Sequence, residues 1–124
     1  MKRYIEKPWG SEIIWAATNG YVGKILFVAA NHVLSIQYHD YKDETMYVLE
    51  GRGALYFYPE NTKNRECGEP ILPNERIEMV SGRAIHIPPG KVHRVEAFTD
   101  MTILEASTDH LDDIVRLADV YGRA

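Results

Sequence analysis

Three short stretches hold the side chains best placed to do chemistry. The first is Ser35-Ile36-Gln37-Tyr38-His39. Successive side chains of a strand point to opposite faces, so Gln37 and His39 face together while Ile36 and Tyr38 face away. The second is Glu44, reached after the polar stretch Asp40-Tyr41-Lys42-Asp43, which is long enough to turn the chain. A carboxylate that opens one strand can meet an imidazole that closes the strand before it. The third runs from Gly82 to His93. Pro88, Pro89 and Gly90 impose a tight turn there, and His93 starts a new strand just after it.

The elements that must position these groups read as strands. Short apolar or alternating runs occur at 12–16, 21–29, 32–38, 45–49, 54–58, 76–80, 84–87, 92–97 and 101–105, punctuated by Gly, Pro and Asn. Many short strands with turn signals between them predict an all-β sandwich or barrel in a single domain, 1–124. Asn19-Gly20 is a hairpin signal, and Gly51-Arg52-Gly53 is read as another. The polar segment 59–74 is expected to be a long, solvated loop. In 109–121 the apolar positions Leu111, Ile114, Val115, Ala118 and Tyr121 recur at helical spacing. Thr108 or Asp109 can cap the start and Gly122 suits the end, so a short C-terminal helix packed on the barrel is predicted, with a bent extended segment as the alternative.

Composition narrows the function classes. The chain has 124 residues, 45% apolar and 26% charged, with a formal charge of −4. There is no basic surplus of the kind a nucleic-acid binder shows. The single cysteine, Cys67, has no internal disulfide partner and is read as an incidental thiol in a reducing compartment. The first residues lack the apolar core of a signal peptide, and no stretch approaches the ~20 apolar residues of a membrane span. The expectation is a cytoplasmic protein with no nucleic-acid or membrane partner. Apolar residues on both strand faces, as at Leu34/Ile36 and Val33, predict a homodimer that covers one of them.

The motif residues resemble the double signature of the cupins, G-x5-H-x-H-x3–4-E-x6-G followed by G-x5-P-x-G-x2-H. Glu44 and Gly51 fit the end of the first half; Gly82, Pro88, Gly90 and His93 fit the second without a gap. Gln37 stands at the first His position, and Gln-x-His is how phosphomannose isomerases present this pair. Lys7-Pro8-Trp9-Gly10, Tyr21-x-x-Lys24, Leu34-Ser35-Ile36-Gln37 and the segment from Asp112 to Arg123 are also similar to the cupin domain of mannose-6-phosphate isomerases. The closest match is the C-terminal domain of the enzymes that join this isomerase to a mannose-1-phosphate guanylyltransferase. The likeness covers the chain except 59–77. It departs at Asp40, Tyr41 and Lys42, where that family carries a His-rich run and an Arg.

The resemblance implies a small double-stranded β-helix, the cupin or jelly-roll barrel, holding one divalent metal on Gln37, His39, Glu44 and His93. Two imidazoles, a carboxylate and a carboxamide oxygen leave room for one or two waters. This donor set takes Zn as first choice, with Mn, Fe, Co or Ni as alternatives. His32, His86 and His110 match no ligand position. Trp9 and Trp15 are read as core or rim aromatics.

Among the basic residues, Lys24 lies in an otherwise apolar strand; facing inward, it would be a buried cation that needs a partner. Arg116 sits in the segment shared with the isomerases and is a candidate substrate contact. Arg94 alternates away from His93. Glu105 is a candidate base on a late strand. The implied reaction is interconversion of mannose 6-phosphate and fructose 6-phosphate, or a related aldose–ketose pair. A sugar- or sugar-phosphate-binding barrel without turnover is the alternative. An Fe-dependent oxygenase is disfavoured by Gln37.

Overall fold

The computed structural model describes residues 3–66 and 68–123. Two antiparallel sheets face one another. The larger orders β1 (Arg3–Lys7), β2 (Gly10–Ala17), β3 (Val22–Val28), β10 (Met101–Ser107), β5 (Glu44–Glu50) and β8 (Ala84–Ile87). The smaller orders β11 (Val115–Ala118), β4 (Ile36–Tyr38), β9 (His93–Ala97), β6 (Gly53–Phe57) and β7 (Glu75–Met79). The expected all-β, two-layer architecture is therefore present.

Alternation explains how the layers meet. On β5, Glu44, Met46 and Val48 are buried while Thr45, Tyr47 and Leu49 are exposed. On β10, Met101, Ile103, Glu105 and Ser107 are buried, and Thr102, Leu104 and Ala106 take the other face. Of these, Met46, Val48, Met101 and Ile103 join Leu55, Met79, Val95 and Ala97 in one core cluster between the sheets. A second cluster lies on the outside of the smaller sheet. Ile36, Tyr58 and Val92 are buried there, with Tyr38, Ile71 and Leu117 packed against them.

Several sequence expectations are corrected. The C-terminal helix is absent. Residues 115–118 instead form β11, which adds to the edge of β4 with Val115 opposite Tyr38 and Arg116 opposite Gln37. The apolar spacing fits a helix, but alternation also fits: Leu117 packs into the outer cluster while Arg116 faces the interior pocket. Gly51-Arg52-Gly53 is not a hairpin turn, because β5 and β6 lie in different sheets. It carries the chain across, with Gly51 at φ 91° and its α-carbon packed against the Asp100 carbonyl, where a side chain has no room. Asn19-Gly20 does join a paired hairpin, β2 with β3. The expected strand at 32–38 shortens to β4 plus a lone bridge from Val33 to Glu96. β1, unexpected from the sequence, pairs with β2.

The segment 59–74 is not simply solvated. It forms a short 3-10 turn, Glu60–Asn64, and straps the smaller sheet. Lys63 Nζ sits 4.4 Å from the Tyr38 ring centroid, and Arg65 donates to the Leu117 carbonyl at 3.5 Å. Cys67 lies outside the described residues.

Candidate metal centre and pocket

His39 follows the end of β4, Glu44 opens β5 and His93 opens β9. Each therefore sits where the chain passes between the sheets, and all three are buried. The Gly90 amide donates to the His39 carbonyl at 2.6 Å, which ties the Pro88-Pro89-Gly90 turn to His39.

The ring orientations follow from their backbone partners. His39 Nδ1 lies 2.5 Å from the Asp113 carbonyl, and His93 Nδ1 lies 2.8 Å from the Lys91 carbonyl. A carbonyl only accepts, so each Nδ1 carries a proton and each Nε2 turns its lone pair inward. His39 Nε2 is 2.9 Å from Glu44 Oε2, and His93 Nε2 has no hydrogen-bond partner. One ligand atom from each of the three residues falls within 4.8 Å of the others. A single added proton satisfies one acceptor pair and leaves His93 Nε2 bare. A divalent cation satisfies all three, and imidazoles held by backbone carbonyls are the usual support for a metal. The residues present therefore fit a metal ion.

The electrostatics agree. Burial holds the His93 imidazole low, in its neutral, ligating form. Burial pushes the Glu44 carboxyl up, but contact with His39 and the nearby Lys42 charge outweigh it and hold the group at about 2.

Beside these residues is a cavity of about 240 Å³. Gln37 lines it, opposite His93 in the β4–β9 pair, and its Oε1 accepts the Ser35 hydroxyl at 2.8 Å. Ile36 and Tyr38 face the outer cluster, as the alternation requires. Lys24 is buried and lines the cavity. Its partner is Glu12, 3.0 Å away, whose other oxygen takes Lys7 Nζ at 3.1 Å. Glu105 is buried opposite Lys24 in the β3–β10 pair. Arg116 and Arg123 line the mouth, where burial and mutual repulsion lower the Arg116 guanidinium.

The sequence reading passed over Lys42, Glu12 and Asp113. Lys42 is buried, with Nζ 2.9 Å from Glu105 Oε2 and 3.8 Å from Glu44 Oε2. Burial acts to lower Lys42, but the charges of Glu105 and Glu44 outweigh it and raise it. Burial and the Glu44 charge together raise Glu105. Asp113 accepts the amides of Asp40, Tyr41 and Lys42 at 3.0, 2.7 and 2.9 Å, which folds the loop that carries Lys42 inward. A signal for Glu12 was present: a buried Lys24 needs an acid, and the Asn19-Gly20 hairpin brings residue 12 beside it. His86 pairs with Asp43 on the surface at 2.6 Å, and His32 and His110 bond locally. None joins the three-residue cluster. Arg94 is tied to the Leu34 carbonyl at 2.9 Å.

No protein-family model and no curated protein matches this sequence. Solved structures do. KdgF from Halomonas sp. superposes with a TM-score of 0.71 at 16% identity, covering 89% of this chain and 88% of KdgF. The capsular polysaccharide assembling protein CapF from Staphylococcus aureus gives 0.70 at 22% identity. That match covers 95% of this chain but 34% of CapF, so the chain spans about a third of that protein. A cupin superfamily protein from Desulfitobacterium hafniense gives 0.62 at 13% identity over 80% of this chain and 76% of its own. At these identities the likeness establishes the fold, the cupin double-stranded β-helix.

Proposed function

We propose that this barrel is a metal-dependent cupin acting on a small sugar or sugar phosphate, by aldose–ketose interconversion of the mannose 6-phosphate/fructose 6-phosphate type. The observation that carries this reading is the convergence of His39, Glu44 and His93 beside a cavity that also holds the buried Lys42–Glu105 pair. The closer resemblance to mannose-6-phosphate isomerases rests on the motif residues, above all Gln37 before His39.

His39, Glu44 and His93 would hold the metal, with Gln37 as fourth ligand through the remaining lone pair of its carboxamide oxygen. A divalent ion there supplies Lewis acidity toward a carbonyl and its neighbouring hydroxyl. Zn is the first choice and Mn, Fe, Co or Ni the alternatives. Glu105 would take a proton from the hydroxyl-bearing carbon beside the carbonyl and return it to the carbonyl carbon, while the hydroxyl proton of the first carbon passes to the former carbonyl oxygen. Lys42 holds Glu105 in place and steadies its charge, while Glu12 fixes Lys24 on the cavity wall. Arg116 meets the phosphate at the mouth.

One observation favours a second reading, a sugar-binding barrel without turnover: Glu105 is held in an ion pair with Lys42 at 2.9 Å, which ties up the candidate base. Elemental analysis of the purified protein and of His93→Ala tests the metal. One ion per chain, lost in the variant, is expected; equal metal in both removes the central claim. Metal-loaded protein is then given hexose and pentose phosphates. Isomerisation supports the first reading, and binding without turnover supports the second.

A further inference from the structure

Strand alternation turns three charged side chains of the larger sheet toward the cavity. Ile5 and Lys7 share the inner face of β1, Glu12 and Ile14 that of β2, and Lys24, Leu26 and Val28 that of β3. Glu12 stands opposite Ile5 on one side and Leu26 on the other. Lys7 and Lys24 are therefore its diagonal neighbours, within reach of long side chains. Both ammoniums turn onto it: Lys7 Nζ is 3.1 Å from Oε1 and Lys24 Nζ is 3.0 Å from Oε2. All three residues line the cavity.

The charges of this group do not balance. Burial pushes the Glu12 carboxyl up, but the Lys24 and Lys7 charges outweigh it and hold the group low, so it is ionised at neutral pH. Two ammoniums on one carboxylate leave one positive charge, although the Lys24 side chain is only 11% exposed. Among the described residues, neither lysine has a second carboxylate at ion-pair distance. Glu105 lies opposite Lys24 in register, but its oxygen is taken by Lys42 at 2.9 Å. An ammonium has three donors, and one carboxylate oxygen uses one of them. A buried charge is costly until a partner meets it.

We propose that Lys7 and Lys24 form an oxyanion subsite, which takes the phosphate or carboxylate group of a bound sugar derivative, with Glu12 as the shared brace that fixes both ammoniums on the wall. The assignment rests on the reading of a sugar-derived ligand, and on neither the metal nor turnover. The placement suits such a ligand. β3 lies two strands from β5, about 10 Å from the strand that Glu44 opens. A sugar with its carbonyl end at His39, Glu44 and His93 extends its charged end to Lys24, with Lys7 toward solvent at 25% side-chain exposure. Arg116 lines the same cavity from the smaller sheet, so the charged end meets cations from both layers. An uncharged sugar of the same shape leaves the ammonium donors unused, and the subsite selects by charge.

Titration calorimetry on the full chain at neutral pH tests this with three probes: fructose 6-phosphate, glucuronate and uncharged fructose. One of the two anionic sugars is expected to bind at least about tenfold more tightly than fructose, the worth of one charge-assisted hydrogen bond. The tighter of the two identifies the oxyanion as phosphate or carboxylate. Lys7→Met is expected to lose most of that advantage and to bind fructose as the wild type does, while Lys7→Arg keeps it. Elemental analysis is expected to find the same metal content in both variants. Equal binding of all three probes, or binding of none, overturns the subsite. So does an advantage undiminished in Lys7→Met and in Lys7→Met with Lys24→Met; where the double variant fails to fold, Lys7→Met alone decides. Chelator-treated wild type separates this proposal from the metal reading. An anionic advantage that persists there supports the subsite, even if no isomerisation is found with metal. An advantage wholly lost with the metal places the anion on the ion and overturns it.

Discussion

The interior of this barrel has two unlike regions inside the same pair of sheets. Around Val48, Leu55, Met79 and Ile103 it is apolar and closed to solvent. Around the cavity it buries Glu12, Lys24, His39, Lys42, Glu44, His93 and Glu105. Dry apolar packing stabilises a fold, whereas buried ions cost several kcal/mol each before their partners offset it. The polar region is thus a net load that the apolar region supports. Its charges are arranged so that removing any one leaves another uncompensated.

The largest expected effect breaks that arrangement. Lys42→Ala leaves Glu105 and Glu44 buried without their cation and is expected to cost about 3–5 kcal/mol in denaturant unfolding. Replacing the pair together, Lys42→Met with Glu105→Leu, is expected to recover most of the loss while abolishing turnover. If the double variant is no more stable than the single, Lys42 acts through packing and not charge.

The apolar region is probed by Leu55→Ala. It is expected to cost about 2–5 kcal/mol and leave one metal ion per chain, read by calorimetry and elemental analysis. Loss of metal in this variant would mean the two regions are not separable. The next effect runs the other way. Saturating metal at about 100 times its Kd should add about 2.7 kcal/mol to the wild type and nothing to His93→Ala, seen as a thermal shift in one and none in the other.

The smallest effect is in the pH dependence of the metal-free protein in chelator. Glu44, held at about 2 against an ordinary 4.5, contributes stability that is fully present above about 4.5 and lost as pH falls toward 2. Glu12 and Asp113 are held below their ordinary values and act in the same direction. Glu105 is raised, so its contribution is present at low pH and lost as pH rises past 4.5. The two signs act on opposite sides of about 4.5: stability falls with acid below it through Glu44, and falls with rising pH above it through Glu105. Glu105→Gln is expected to flatten the limb above about 4.5 and leave the acid limb unchanged; an unaltered upper limb would contradict the assignment.

The site was more legible in the sequence than the charges that surround it. His39, Glu44 and His93 could be placed because each adjoins a turn written in local residues, and period two told which neighbours face away. Lys42 looked like a solvated loop residue. Its burial is imposed by three amide bonds to a carboxylate 71 to 73 positions later, and no local pattern encodes that. The tail misled for a related reason. Over a few residues, helical and strand spacing share positions, and the open edge of β4 decided between them. β1 escaped notice because its alternation, Tyr4 against Ile5, is diluted by charge in an edge strand.

Asp113 also has a consequence in time. Its carboxylate shapes the 40–42 loop and its carbonyl aims the His39 ring. A growing chain emerges from its N-terminal side first. It therefore carries His39, Glu44 and His93 before it carries the residue that orients the first of them. The strand that completes the smaller sheet follows directly, at 115–118. A metal held by the oriented His39 ring would therefore be captured only after residue 113 has been made, when the strands from β1 to β10 already precede it in the chain.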